Sequence, residues 1–536
     1  MAHLYFGGKI YVEREVFADS MLVCDGIIEA VGSHEEVTAT AAQKGITITQ
    51  STDLGGKTVI PGINDSHQHT FGVGKLLLGV NLAQADSIDA MVQTGISHLE
   101  KHPLTAGQVL VGRGWNQDNF TDEKRMPTRH DLDRITTEYP VIFTRACGHI
   151  LCANSKALQL AGIGKDTLSV QGGEIYRDAD GTPNGLISEN AIEMINTIIP
   201  PITAEYVAQA VSLAMKSAAG HGITTLQTND IDGAHWQTVQ QGYHLLYETN
   251  RDAIRICHQS TFTDPAQYRQ FVDDGCDTGG GDDMLMYGPL KLYSDGSLGA
   301  RTAYMKQPYA DDASTQGIPT LTQQQLDSLV QTADQNGCQV IVHCIGNGAM
   351  EMVLDAFDKV TQNGNPHRHG IVHCQITDRQ MIQRFADRDI LAFVQPIFIH
   401  YDMTVVESRV GSQLAQTSYA FGDMYRMGIH TSYGTDSPVE DMNPWENIYC
   451  AITRSRLDGR GEYLPQQKVD IFDAIDQYTV GSAYAQFSEN KKGRLKSGFL
   501  ADFAVLDRDI FTATPQEIMS TKSLLTVVGG RTVYKA

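Results

Sequence analysis

The chain is 536 residues long, with 41% hydrophobic and 8% aromatic residues and a formal net charge of −22. That length allows about three or four domain-sized units, or fewer where an α/β barrel absorbs about 250 residues or more, and the apolar content supports large cores and excludes a disordered chain. The acidic balance excludes nucleic acid and anionic membranes as partners, because phosphates are repelled at long range.

Nine cysteines, odd in number and irregularly spaced, do not make a disulfide framework and fit a reducing compartment. No basic segment followed by an apolar core opens the chain, and no run of about 18 apolar residues occurs. The expectation is a soluble, cytoplasmic protein with no membrane partner, whose acidic surface permits a homodimer.

The first 60 or so residues read as short strands. Runs at 4–12 and 20–31 carry apolar residues, with turn signals at Gly7-Gly8 and Asp25-Gly26. The middle alternates β-like and helix-like segments, which favours a parallel sheet with helical crossovers. Candidate barrel strands are 59–64, 223–227, 254–259, 285–293, 339–343, 370–373, 390–395 and 429–433. Between the first two lie roughly 160 residues, far more than a crossover needs, so an inserted subdomain is expected there. The C-terminal end is again β-like, at 498–506, 524–528 and 532–534, with a Gly529-Gly530 turn. The expected fold is α/β: a (β/α)8 TIM-like barrel (59–72 and 202–485), a β-sandwich built from both termini (1–58 and 486–536), and an inserted α+β subdomain (73–201).

Six residues on or near the ends of these strands form the ligand set of a two-metal hydrolase: His67, His69, Lys291, His343, His373 and Asp436. Alternation along a strand lets His67 and His69 point at one ion, and puts Lys291, Tyr293 and Asp295 on one face. Barrel enzymes place reacting groups at the C-terminal rim of their strands. Imidazoles and carboxylates suit zinc first, and also manganese, iron or cobalt. A buried lysine beside two cations loses its proton, and its neutral amine can add carbon dioxide to give a carbamate that bridges two ions. The competing reading pairs Lys291 with Asp295. Cys147, His149 and Cys152 have irregular spacing for a second zinc site, and alternation turns Cys344 and Cys374 away from the metal histidines.

The stretch 61–69, Pro-Gly-Ile-Asn-Asp-Ser-His-Gln-His, and the stretch 291–303, Lys-Leu-Tyr-Ser-Asp-Gly-Ser-Leu-Gly-Ala-Arg-Thr-Ala, resemble signatures of the amidohydrolase superfamily. The resemblance is to its amidohydrolase-3 group, which includes YtcJ-like and N-substituted formamide deformylase-like proteins. Val342-His343-Cys344-Ile345-Gly346-Asn347, His373 and Gly434-Thr435-Asp436-Ser437-Pro438-Val439 extend it, as do Gly112-Arg113-Gly114-Trp115 and the segment from Gly148-His149 to Leu158. Two departures are Asn347, where the group often has an acidic residue, and Ile63, where a phenylalanine is common.

The resemblance implies that His67, His69 and Asp436 hold the more buried ion, that His343 and His373 hold the more exposed one, and that carbamylated Lys291 bridges them. It also implies hydrolysis of a C–N bond in a small-molecule amide, formamide or cyclic amide by a metal-bound hydroxide, with Asp436 as proton shuttle. Trp115, His149 and Arg301 are the candidate substrate contacts; the alternative roles are a packed core, a helix cap and a rim ion pair. Two other functions stand beside the amide hydrolase. A mononuclear-metal deaminase on the same barrel would usually lack the bridging lysine. A catalytically silent binding protein would have lost ligands, and none of the six is missing.

Overall fold

A computed structural model describes residues 2–105, 107–121, 123–146, 149–250 and 253–536. It divides into two compact units, one of Met1–Thr70 with Ala214–Ala536 and the other of Phe71–Leu213.

In the larger unit eight strands run in chain order across one parallel sheet. They are β1 (Ile63–Gln68), β2 (Ile223–Asp232), β3 (Arg255–Thr261), β4 (Leu285–Tyr293), β5 (Val340–Cys344), β6 (Gly370–His373), β7 (Leu391–Val394) and β8 (Thr431–Tyr433). Most are buried along their length, as a parallel sheet covered on both faces requires. The end of β1 with the residue after it, and the segment just past β8, join the two edges. Asp436 N–H donates to His67 O at 2.8 Å and His69 N–H to Ser437 O at 2.8 Å. The result is a nearly closed barrel.

The crossover helices form where apolar residues recur with helical spacing. Gln323–Gln335 starts with a capping box between Thr322 and Gln325 and buries Leu326, Leu329, Val330 and Ala333 on one stripe.

The expected first barrel strand, 59–64, is two strands of different sheets. Thr58–Pro61 pairs with Phe503–Leu506 and with Ala2–Glu13, while β1 starts only at Ile63. Gly62 stands at the changeover, where a Cβ would lie 2.1 Å from Thr224 Oγ1, so only glycine fits so close to β2. The terminal strands make one sheet in the order Arg531–Lys535, Ser523–Val528, Phe503–Leu506, Thr58–Pro61, Ala2–Glu13, Val16–Cys24 and Ile27–Gly32, with Gln50–Asp53 also on Ala2–Glu13. Tyr5, Ile10, Met21, Val59, Phe503 and Val527 form its core. The 20–31 run breaks at Asp25-Gly26 into two antiparallel strands, as its turn signal requires.

The smaller unit carries a six-stranded mixed sheet, ordered Gly173–Arg177, Pro183–Glu189, Ile150–Ala153, Val141–Arg145, Leu110–Trp115 and Val80–Asn81. One core gathers Leu82, Met91, Trp115, Phe120, Leu132 and Phe143; another gathers Ile142, Leu151, Leu158, Ile187 and Ile195. No helix among the described residues is long and apolar enough to cross a membrane.

Candidate metal centre

The C-terminal ends of β1, β4, β5, β6 and β8 bring the predicted ligands together. In β1 the ladder with β2 slips between Asp65 and Gln68, so the strand bulges where its ligands begin. Strict alternation therefore fails here. Asp65 turns to β8 and accepts from Thr435 N–H, Thr435 Oγ1 and His67 N–H, while His67 faces the barrel centre. Burial pushes the Asp65 carboxyl up to about 7, against these hydrogen bonds.

Ligand atoms of His67, His69 and Asp436 lie within 4.8 Å of one another. Both imidazole Nε2 atoms are 3.4 Å from Asp436 Oδ1. His373 joins them with its ring 5.7 Å from that of His67, and the His343 ring is 4.5 Å from that of His373. Each ring is held by its other nitrogen. His67 Nδ1–H donates to Gln259 Oε1, His69 Nδ1–H to Asn229 O, and His373 Nδ1–H to Gln395 Oε1. His343 is reversed, its Nε2–H donating to the Gly296 carbonyl, which leaves Nδ1 as its free lone pair. Such bonds fix the tautomer and aim the bare nitrogen at a metal. His373 and Asp436 occupy left-handed backbone, with φ of 79° and 56°. Strain of order 1–3 kcal/mol per residue is tolerated where function demands it.

Lys291 is fully buried, its Nζ has no hydrogen-bond partner among the described residues, and it stands 3.8 Å from the Tyr293 ring centroid. Burial lowers the amine to about 7, although Asp436 and Cys344 oppose the shift. The pairing with Asp295 does not form. The Asp295 carboxylate instead accepts from Tyr304, Ile345 and Gly346 N–H and so pins the segment after β5. Burial and the Lys291 amine push His67 well below its ordinary value, and burial with the charge of His343 brings His373 to about 3. Burial alone would raise Asp436. Its imidazole neighbours, His69 first among them, outweigh burial and hold the carboxylate below its usual range. Against burial, the same contact with Asp436 raises His69 above its ordinary value, so His69 Nε2 gives up a proton when a metal takes its place. The lowered imidazoles of His67 and His373, an ionised carboxylate and a buried amine fit a divalent metal site, whose ligands must shed protons before binding.

The other predicted residues have contacts of their own. Trp115 is fully buried in the core of the smaller unit, its indole N–H donating to Phe143 O at 2.9 Å, so it packs that core and offers no open face to a ligand. His149 is exposed and bonds Glu189 Oε2 at 3.0 Å. Arg301 holds Asp311 with Nε at 3.1 Å and Nη2 at 3.0 Å, the rim ion pair. Cys147 lies outside the described residues, and Cys152 is buried in the same core as Trp115. Cys344 and Cys374 are buried, their sulfurs engaged with Ser294 Oγ and Ile371 O. Sequence reasoning missed Asp65, Gln259 and Gln395. Asp65 shares the parity of His67 and His69 and so carried a signal; the two glutamines carried none.

The amidohydrolase family model matches residues 50–534. The YtcJ protein of Bacillus subtilis (strain 168) is 31% identical over 540 aligned positions, covering 100% of both chains. N-substituted formamide deformylase of Arthrobacter pascens is 25% identical over 552 positions, covering 97% of this chain and 96% of its own. An uncharacterized metal-dependent hydrolase from Pyrococcus horikoshii OT3 has a solved structure similar to this one. It matches with a TM-score of 0.79 and 26% identity, over 96% of this chain and 99% of that one.

Proposed function

The chain belongs to the amidohydrolase family and is a metal-dependent hydrolase of that superfamily; from that premise we propose that it cleaves a carbon–nitrogen bond in a small amide, formamide or cyclic amide. His67, His69 and Asp436 would hold one divalent ion, His343 and His373 a second, with Lys291 between them as a carbamate. Two such ions, zinc first among those this donor set accepts, would lower the pKa of a shared water and polarise a carbonyl.

The observation that carries the two-ion form is the Lys291 amine, buried among the candidate ligands with no hydrogen-bond partner among the described residues. A lysine so placed is expensive as an ammonium and chemically idle as a bare amine; a carbamate would use the position. Asp436, ionised and beside both His67 and His69, is the proton acceptor. It takes the proton of the attacking water and returns it to the nitrogen as the C–N bond breaks. The formamide class is suggested by the deformylase of Arthrobacter pascens.

A one-metal deaminase is the second reading, favoured because among the described residues only His67, His69 and Asp436 gather tightly enough to form a metal cluster. Metal analysis separates the two, with two ions per chain expected for the amide hydrolase and one for the deaminase. A screen of N-acyl, N-formyl, carbamoyl and lactone compounds then seeks the substrate. Asp436→Asn should fold normally and lose turnover by about 100-fold or more, and unchanged turnover would remove Asp436 from the mechanism.

A further inference from the structure

Asn229 sits in β2 at a bulge, where three residues, Thr228 to Ile231 exclusive of the first, face two on β3. It is 9% exposed, and its backbone carbonyl and both side-chain amide atoms are engaged. Its backbone carbonyl accepts from His69 Nδ1 at 3.0 Å. Its side-chain Nδ2 donates to the Gln259 carbonyl at 2.8 Å and to Thr261 Oγ1 at 2.9 Å. Its Oδ1 accepts from Tyr293 Oη–H at 2.7 Å.

Each partner leads to a predicted metal ligand. Gln259 is the residue that holds His67 Nδ1 through Oε1, its own Nε2 donating to Ser66 O at 2.8 Å. Tyr293 lays its ring 3.8 Å from Lys291 Nζ. One asparagine on β2 is thus tied to His69 on the β1 side, to His67 through β3, and to Lys291 through β4. A side chain that only filled space would need none of the three bonds its amide makes, while the His69 bond is the backbone's, left available by the bulge.

We propose that Asn229 is a positioning residue of the metal centre: its side chain sets the angle of His67 through Gln259 and latches Tyr293 over Lys291, and its backbone carbonyl, which Asn229→Ala keeps, holds His69. This rests on the metal-dependent reading above. Asn229 touches no reacting atom and acts only through the groups it orients. Outer partners of this kind govern metal affinity and ligand geometry, typically by about 10–100-fold.

The test loads metal-free full-length chain with zinc in competition with a chelating dye, and separately with cobalt(II) to record the visible ligand-field spectrum. Asn229→Ala should weaken zinc binding about 10–100-fold and shift the cobalt bands. Tyr293→Phe keeps the ring but removes the latch, and should give a smaller loss. The double variant should bind no more weakly than Asn229→Ala, because the hydroxyl works only through Asn229.

Wild-type zinc affinity and an unshifted cobalt spectrum in Asn229→Ala overturn the proposal, and strictly additive losses overturn the latch. If Asn229→Ala fails to fold, Tyr293→Phe decides, since losing one hydroxyl cannot unfold the barrel; unchanged binding and spectrum there refute the coupling. A wild-type chain that takes up no metal would sink the metal-dependent reading itself, a result distinguishable from failure of Asn229 alone.

Discussion

Lys291 and Lys492 are both withdrawn from water, and burial lowers each amine from 10.5 to about 7. Lys492 donates to Thr225 Oγ1 at 2.9 Å, close to the Arg255 charge that lowers it further. It is structural, whereas Lys291 has no hydrogen-bond partner among the described residues and stands among the candidate ligands. Lys492 gives a test of the burial argument free of any metal. Its folded amine binds a proton less tightly than the unfolded one, so the unfolded chain holds more protons between about pH 7 and 10.5. Stability must therefore rise with pH across that window, having carried the full penalty below it. Lys492→Met, which cannot titrate, should stabilise the protein more at pH 7 than at pH 10 and remove part of the rise, Lys291 supplying the rest. Urea unfolding at the two pH values checks this, and an equal change at both would refute it. That Lys291 and the histidines gather at one end of the barrel was legible, because residue type and strand position point there directly. Gln259 and Gln395 were not, because an amide becomes a histidine's partner only by lying within reach of it; Gln259 is 192 positions from His67.

At the scale of elements, the informative failure is the run 59–64. Its apolar residues Val59, Ile60 and Ile63 carry a strand signal throughout, and periodicity has no means of dividing it between two sheets. Gly62 is the divider, its Cα passing so close to β2 that a methyl group would meet Thr224 at 2.1–2.3 Å. Gly62→Ala should cost about 1–3 kcal/mol through forced shifts of two packed strands. A urea midpoint equal to the wild type would show that β1 and β2 can part freely. The bulge in β1 has the same lesson for the site. His67 and His69 were expected to share a face by simple alternation; they do converge, but across a slipped ladder whose extra residue sends Asp65 to Thr435. The remaining barrel strands lie close to their expected positions because long Val- and Ile-rich runs between helical segments permit few other arrangements.

For the whole molecule, the terminal sheet is tied to the barrel inside the larger unit by a buried ion pair. Arg255 at the start of β3 meets Asp502 with Nε at 2.7 Å and Nη2 at 2.9 Å, both side chains 4% exposed. Asp502 Oδ1 also accepts from Gly529 N–H, so three distant segments share one carboxylate. Asp502→Ala should lower stability by about 3–5 kcal/mol, since it strands a guanidinium away from water. Calorimetry of the metal-free chain measures this, and a melting temperature within a degree of wild type would mean that Arg255 finds other company. The sequence by itself determined the order in which six candidate ligands reach one end of the barrel, the alternation that makes a parallel barrel, and the β character of both ends. These are properties of residue type and short-range period, which any stretch of chain displays wherever it lies. Only the tertiary structure decided which sheet took Thr58–Pro61, that Trp115 is core, and which amides and carbonyls aim the histidines. Those outcomes depend on close approach between segments tens to hundreds of residues apart, where packing and hydrogen-bond geometry select among partners that look alike along the chain.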